Sequence, residues 1–137
     1  MTMPGDVGAY NRQLIAQFRE TGGEAVKDRP LLLLTTTGAR SGKPHTAPVM
    51  YVRDDSRLMV VASNAGAAVH PAWFHNLVAH PEVTVELPGD TFTATAVVPA
   101  GAERDVLFDS VSARYPFFVD HQAKTDRKIP VVILERT

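Results

Sequence analysis

The sequence predicts an α+β protein in which a mainly antiparallel sheet curves towards a barrel and helices flank its outside. Six apolar or alternating stretches have the length and the flanking turn residues of strands, and most follow one another across short turns, as in hairpins. One helical pattern precedes the strands and two interrupt them, and helices do not alternate with strands, which argues against a doubly wound parallel sheet.

Hydrophobic periodicity and turn residues set the expected bounds of each element. Helices are expected at Val7 to Gly22, Pro71 to Ala79 and Ala102 to Tyr115, and strands at Leu31 to Thr37, Thr46 to Arg53, Arg57 to Ser63, Glu82 to Leu87, Thr91 to Val98 and Ile129 to Glu135. Asp54 to Ser56 is expected to be a turn, and Pro116 to Asp126 has no regular pattern.

Apolar side chains indicate which faces are buried. Four consecutive leucines, Leu31 to Leu34, predict a strand that is buried on both faces. Spacing in the third helix predicts that Val106, Leu107 and Val111 point inward.

Length and composition fit one domain, residues 1–137, with a helix and linker at 1–29 and the barrel at 30–137. Apolar residues make up 45% of the chain, enough for a core, and the net charge of −1 gives no basic field for nucleic acid. The absence of cysteine excludes disulfides and thiolate metal sites. No stretch reads as a membrane span or a signal peptide, so we expect a cytoplasmic protein. Membrane-surface contact by the first helix is a weaker alternative.

The loop between the first two strands, Gly38 to His45, has the chemistry of an anion site. It combines the cations Arg40 and Lys43 with the hydroxyl of Ser41, and His45 follows. Tight loops with cations and free N–H groups suit phosphate. The loop is not a nucleotide-binding P-loop, because only three residues separate its glycines and Pro44 stands where that motif needs Ser or Thr. A solvated basic hairpin is the alternative.

A second loop, Ser63 to Val69, leads into the second helix and predicts backbone donors at a helix start, a further anion site. Within that helix, Ala72, Trp73 and Asn76 have the spacing of one face, and Phe74, Leu77 and Val78 that of another. A small residue, an indole and an amide beside an anion loop suit a heteroaromatic ligand. Alternatively, Trp73 is ordinary core.

Tyr115, Phe118 and His121 recur every three residues across Pro116. If this segment is helical, they line one side, where Tyr115 or His121 could act as a proton donor. The alternative is a packing stripe with a surface histidine. Histidine spacing predicts no metal site, since no His-Glu-x-x-His pattern occurs.

Three stretches of the chain resemble the deazaflavin (coenzyme F-420)-dependent nitroreductase family: residues 33–49, 61–85 and 126–134. The second carries a specific spacing, Pro-x-Trp-x-x-Asn-Leu-x-x-x-Pro-x-Val, that begins at Pro71. The resemblance implies a split β-barrel, similar to the FMN-binding split-barrel proteins. It also implies coenzyme F-420 as the cofactor and hydride transfer to a small acceptor, namely a quinone, an activated alkene or a nitro-aromatic compound.

The resemblance assigns roles by position. Arg40 and Ser41 match the phosphate loop, and positions around the deazaflavin are matched by Pro48, Ser63, Asn64, Ala67, Ala68, Ala72, Trp73 and Asn76. The acceptor pocket is matched by Tyr115, Phe118 and His121. The family often has a basic residue at Ala39 and an arginine at His45, and a lysine is common at Asn64. Fewer fixed cations therefore face the acidic tail here. An FMN enzyme of the same fold and a non-catalytic binding protein remain alternatives.

Overall fold

The computed structural model describes residues 7–24, 30–54 and 57–137, with side chains from residue 9 onward. Its helices and strands, in chain order, are α1 (Val7–Thr21), β1 (Leu31–Thr37), β2 (Pro44–Asp54), β3 (Arg57–Val61), α2 (Ala72–Ala79), β4 (Glu82–Leu87), β5 (Asp90–Val97), α3 (Gly101–Arg114), α4 (Phe117–Ala123) and β6 (Val131–Arg136).

The six strands form a closed antiparallel barrel in the order β1-β2-β3-β6-β5-β4. Each neighbouring pair is antiparallel, and four of the six pairs join strands that are consecutive in sequence. The predicted antiparallel barrel with flanking helices is therefore confirmed. Closure leaves no free sheet edge, and it gathers the β1–β2 connection and the chain after β3 at the same end of the barrel.

The four leucines of β1 face both sides of the sheet, as predicted. Leu32 and Leu34 are fully buried inside the barrel, in a cluster with Val60, Val85 and other residues. Leu33, between them, is also fully buried, but it packs outward against α1. This alternation follows from the period of two in a strand. One run of leucine therefore joins the barrel core to the N-terminal helix.

The outer face of β3 and β6 is covered by α3 and α4. Leu107 and Val111 of α3 pack with Met59, Ile133 and Phe118 in a second buried cluster. α4 lies within Pro116 to Asp126, the segment in which no regular element was predicted. Of the predicted Asp54–Ser56 turn, residues 55 and 56 lie outside the described part of the chain.

One inward position was predicted wrongly. Val106 is 67% exposed, because the buried stripe of α3 contains Arg104, Leu107 and Val111 at helical spacing and Val106 lies off it. Arg104 is buried although it is charged, since its guanidinium donates to the Ile129 carbonyl at 2.7 and 2.9 Å. Val78 does not share the buried face of Phe74 and is 59% exposed.

Among the described residues, no helix is both long and apolar enough to cross a membrane.

A pair of truncations in α3 tests this burial pattern. Leu107→Ala removes a side chain that is 3% exposed, and we expect it to lower the free energy of unfolding by about 2–5 kcal/mol. Val106→Ala, one residue away and exposed, should change it by no more than about 0.5 kcal/mol. Urea unfolding of both variants gives the comparison. Equal losses would contradict the orientation of α3.

Candidate functional site

The β1–β2 loop is fixed by its own hydrogen bonds. The Gly38 N–H donates to the Lys43 carbonyl at 2.8 Å, and the Gly42 N–H donates to the Gly38 carbonyl at 3.0 Å. The Lys43 N–H donates to Ser41 Oγ at 3.1 Å. A Cβ at position 38 would lie 2.4 Å from Ser41 Oγ, so only glycine fits there. These three hydrogen bonds fix the shape of the loop.

Asn76 attaches this loop to α2. Its Oδ1 accepts from the Ala39 N–H at 3.0 Å, and its Nδ2 donates to Thr36 Oγ1 at 3.0 Å. Asn76 is 9% exposed, so these bonds satisfy amide atoms that are largely shielded from water. The amide therefore fixes the position of the loop as well as bordering the site.

The loop and α2 enclose a cavity of about 720 Å³, here called the anion cavity, lined by Gly38, Ala39, Arg40, Ser41, His45, Ala72, His75 and Asn76. Arg40 has no hydrogen-bond or ion-pair partner among the described residues, which leaves its charge available. His75 was missed from the sequence, although it lies three residues after Ala72 on the same helix face. Lys43 is exposed in the loop, outside the cavity lining.

A second cavity of about 300 Å³, here called the aromatic cavity, borders the start of α2 at Trp73, on a different helix face from the anion cavity, and its lining is mainly apolar. It is lined by Pro48, Val49, Met50, Val61, Ser63, Asn64, Ala65, Pro71, Trp73, Phe117, Phe118 and His121. Trp73 also packs against the barrel core, so the indole is both core and cavity wall. The helix thus separates the predicted Ala72, Trp73 and Asn76 group: Ala72 and Asn76 line the anion cavity and Trp73 the aromatic cavity.

The chain after β3 makes an unusual turn at the aromatic cavity. Asn64, Ala65 and Gly66 all have positive φ, at 49°, 55° and 82°. Positive φ is uncommon for alanine, and strain of this kind tends to occur at functional sites. Two of the donors expected for an anion in this loop, the Gly66 and Ala67 N–H groups, donate within the turn, and α2 begins only at Ala72. Ala67 and Ala68 are exposed and do not line the cavity.

The aromatic wall comes from α4 and its N-terminal flank. Phe118 is 4% exposed, and it belongs both to the outer buried cluster and to the cavity lining. Tyr115 packs against Phe118, with 6.5 Å between the ring centroids, but does not line the cavity. Phe117, which sequence spacing missed, is 40% exposed at the cavity. Nδ1 of His121 is buried without a hydrogen-bond partner among the described residues. An unpartnered buried nitrogen beside a cavity is a candidate contact for a ligand.

No group of three or more metal-ligating side chains occurs in the described part of the chain. His70 and His75 come closest to such an arrangement, with their ring centroids 5.5 Å apart.

Fold and cavities together define a class: a split-barrel protein with an anion loop beside an aromatic cleft. A model of the F420H(2)-dependent quinone reductase family matches residues 10–136. An F420H(2)-dependent quinone reductase of Mycobacterium tuberculosis is 37% identical over 110 residues, 78% of this chain and 74% of that protein. The chain therefore belongs to the F420H(2)-dependent quinone reductase family and is an oxidoreductase.

Solved structures agree with this assignment. A structure named F420-H2 Dependent Reductase (FDR-A) is 40% identical, with a TM-score of 0.70 over 78% of this chain and 95% of that chain. HutZ, a heme storage protein from Vibrio cholerae, is 16% identical with a TM-score of 0.60 over 89% of both chains. At that identity HutZ shows only the fold.

Gly66 provides a test of the turn beside the aromatic cavity. A Cβ at this position would lie 2.8 Å from the His121 carbonyl oxygen, whereas Gly89, also at positive φ (75°), has nothing within 4 Å. Both alanine variants share the backbone strain, but only Gly66→Ala adds the contact. We expect Gly66→Ala to be less stable than Gly89→Ala by about 1–3 kcal/mol in urea unfolding. Equal stability would mean that α4 does not pack against the turn.

Proposed function

We propose that this chain binds reduced coenzyme F-420 across α2 and uses it to reduce a quinone. The observation that carries this proposal is the pair of cavities that border α2, one offering a cation with no partner among the described residues and the other flat apolar walls. Family membership supports F-420 as the cofactor and gives no support to FMN.

The donors of the anion cavity fit the acidic part of this coenzyme. Arg40 is an unpaired guanidinium, a group that binds phosphate or carboxylate through two parallel bonds. Ser41 and His45 lie beside it, with 3.4 Å between Oγ and Nε2, and Lys43 adds a mobile point charge at the rim. We assign these four residues, with Ala72 and Asn76, to the phosphate and carboxylate groups.

The aromatic cavity fits the ring system. Trp73 and Pro48 offer flat or rigid apolar surface, and the buried Nδ1 of His121 lacks a partner that a ring carbonyl, ring N–H or acceptor could supply. Ser63 and Asn64 add polar groups at the same wall. Ala67 and Ala68, exposed beyond the turn, are assigned to the outer part of the coenzyme.

When bound, the reduced coenzyme supplies a hydride from the ring carbon that replaces N5 of a flavin. The chain's own contribution is placement and proton handling. Phe117 and Phe118 supply apolar area that holds a flat acceptor and excludes water. His121 donates a hydrogen bond or a proton to the reduced acceptor oxygen. Tyr115 packs against Phe118 and keeps that wall in place. Because Tyr115 lies outside the cavity lining, we assign its hydroxyl to orienting an acceptor that extends beyond the cavity.

A quinone fits this wall best, because it is flat and its oxygens accept the hydrogen bonds and protons that reduction requires. Activated alkenes and nitro-aromatics are the further acceptor classes for the same hydride transfer. The decisive experiment is anaerobic mixing of the protein with reduced F-420 and menadione, followed by the rise in absorbance of the oxidised coenzyme. We expect turnover with reduced F-420 and none with NADPH alone. Coenzyme binding without turnover on any of the three acceptor classes would instead indicate a binding protein.

Arg40→Ala tests the anion cavity. A charge-assisted hydrogen bond contributes about 1.5–3 kcal/mol, so the dissociation constant for F-420 should rise about ten- to a hundredfold. The difference should shrink at high salt, because Arg40 is exposed. Fluorescence titration gives the constants. Arg57→Ala is the matched control, since Arg57 pairs with Asp54 at the other end of the barrel. Equal affinities for the two variants would remove Arg40 from the site.

His121→Phe and Tyr115→Phe test the acceptor wall. Each removes a polar function with a limited change in volume. Both should lower kcat with menadione while the F-420 dissociation constant changes less than threefold, as expected for contacts made to the acceptor. His121→Phe should have the larger effect, because only His121 lines the cavity. Steady-state rates and coenzyme titrations check this. If both variants turn over as fast as the parent protein, α4 contributes only packing and does not contact the acceptor.

A further inference from the structure

Arg127 precedes β6 and reaches across to the chain that follows β3. Its guanidinium donates to the main-chain carbonyls of Ala62 at 3.1 Å, Ser63 at 2.8 Å and Ala67 at 2.9 Å. A fourth contact joins Nη1 to Nδ1 of His70 at 2.9 Å. One side chain therefore holds four points between residues 62 and 70.

These contacts bracket the strained part of the aromatic cavity. Asn64 and Ala65 lie between the held carbonyls of Ser63 and Ala67, and both line the cavity. Their positive φ values are unfavourable in a free chain. The turn also has its own bond from Asn64 Nδ2 to the Val69 carbonyl at 3.0 Å. Arg127, which lies outside the turn, adds hydrogen bonds on both sides of it, to the Ser63 and Ala67 carbonyls.

We propose that Arg127 is a positioning residue, which shapes the coenzyme-binding wall by holding the Asn64–Gly66 turn and requires a neutral His70 to do so. The part that concerns the coenzyme rests on the proposed function. Only arginine meets the geometry, because its planar fork carries five N–H donors, whereas the ammonium of lysine is a single point with three.

His70 makes the arrangement sensitive to pH. A guanidinium has no acceptor, so Nδ1 must be unprotonated to receive its hydrogen bond. The groups that face His70 are Arg127, the His75 ring and the Phe74 ring, the last at 4.7 Å between centroids. Burial first, and then the charges of Arg127 and His75, lower the pKa of His70.

The lowered pKa of His70 determines how the stability of the turn depends on pH. The folded state favours neutral imidazole more than the unfolded chain does, so the contribution is present above the unfolded pKa of about 6.5. It is lost as the pH falls through the lower folded pKa. Acid should therefore loosen the turn.

The test measures hydrogen exchange of residues 64–70 in the full chain without coenzyme, and F-420 affinity separately. Arg127→Ala should lower the protection of these amides about tenfold or more and weaken F-420 binding about ten- to a hundredfold, from the loss of several hydrogen bonds. Arg127→Lys should recover little of either. Millimolar guanidinium should restore protection to Arg127→Ala, and methylammonium should not. Arg136→Ala, which removes a paired arginine from the other end of the barrel, is the control.

Unchanged protection in Arg127→Ala, or an equal loss across the whole barrel, would overturn the proposal. The exchange measurement does not involve the coenzyme, so it separates this proposal from the proposed function. If the parent chain fails to bind F-420, the proposed function fails, while local loss of protection still identifies Arg127 as the residue that holds the turn.

His70→Asn provides a second test that leaves Arg127 intact. Asparagine keeps an acceptor oxygen near the position of Nδ1 and does not titrate. Protection of residues 64–70 in the parent should fall as the pH drops below about 6.5, after correction for intrinsic exchange, and should stay level in His70→Asn. The same fall in both proteins would show that His70 has no part in holding the turn.

Discussion

The architecture of the site depends on one buried amide. Asn76 accepts from the β1–β2 loop and donates to Thr36 of β1, so it joins α2 to the barrel where the two cavities meet. Both amide groups are used, and loss of either partner would leave a shielded polar group unsatisfied, which costs more than the bond itself contributes. The position of Arg40 relative to Trp73 follows from this connection.

Two of the arginines that line a cavity at the opposite end of the barrel are already paired within the chain. This cavity has a volume of about 430 Å³, and its lining includes Arg53, Arg57 and Arg136. Arg57 pairs with Asp54 at 3.1 Å, and Arg136 pairs with Asp90 at 3.0 Å. The guanidinium of Arg136 also lies over the ring of Phe92. A charge already satisfied in this way offers less to an anionic ligand than Arg40 does.

The sequence predicted the parts of the fold that depend on local pattern. Strand periodicity and turn residues identified every strand, and the leucine run of β1 correctly indicated burial on two faces. Val106 was assigned inward with Leu107 and Val111, whereas the buried stripe of α3 includes Arg104. A charged side chain that finds carbonyl partners cannot be recognised from spacing. The burial of Arg104 depends on its hydrogen bonds to the Ile129 carbonyl, which is distant in sequence.

The site was predicted less completely for a related reason. Arg40, Ser41 and Trp73 belong to motifs to which a role could be assigned. Phe117 belongs to no spacing pattern, and Arg127 lies in the resembling stretch 126–134 but had no predicted role. Arg127 acts on carbonyls more than fifty residues away, and main-chain acceptors leave no trace in a sequence. Alanine at position 65 likewise gives no sign of positive φ. The left-handed turn depends on contacts with α4 and Arg127 that form only in the folded protein.

The central claim is that one coenzyme occupies both cavities across α2. The most direct measurement is a titration of ¹⁵N-labelled protein with oxidised F-420, followed by two-dimensional NMR. We expect the amide resonances of the Gly38–His45 loop, the Asn64–Gly66 turn and α4 to shift together, with one dissociation constant. Shifts confined to one cavity, or centred on the Asp90 end of the barrel, would contradict it.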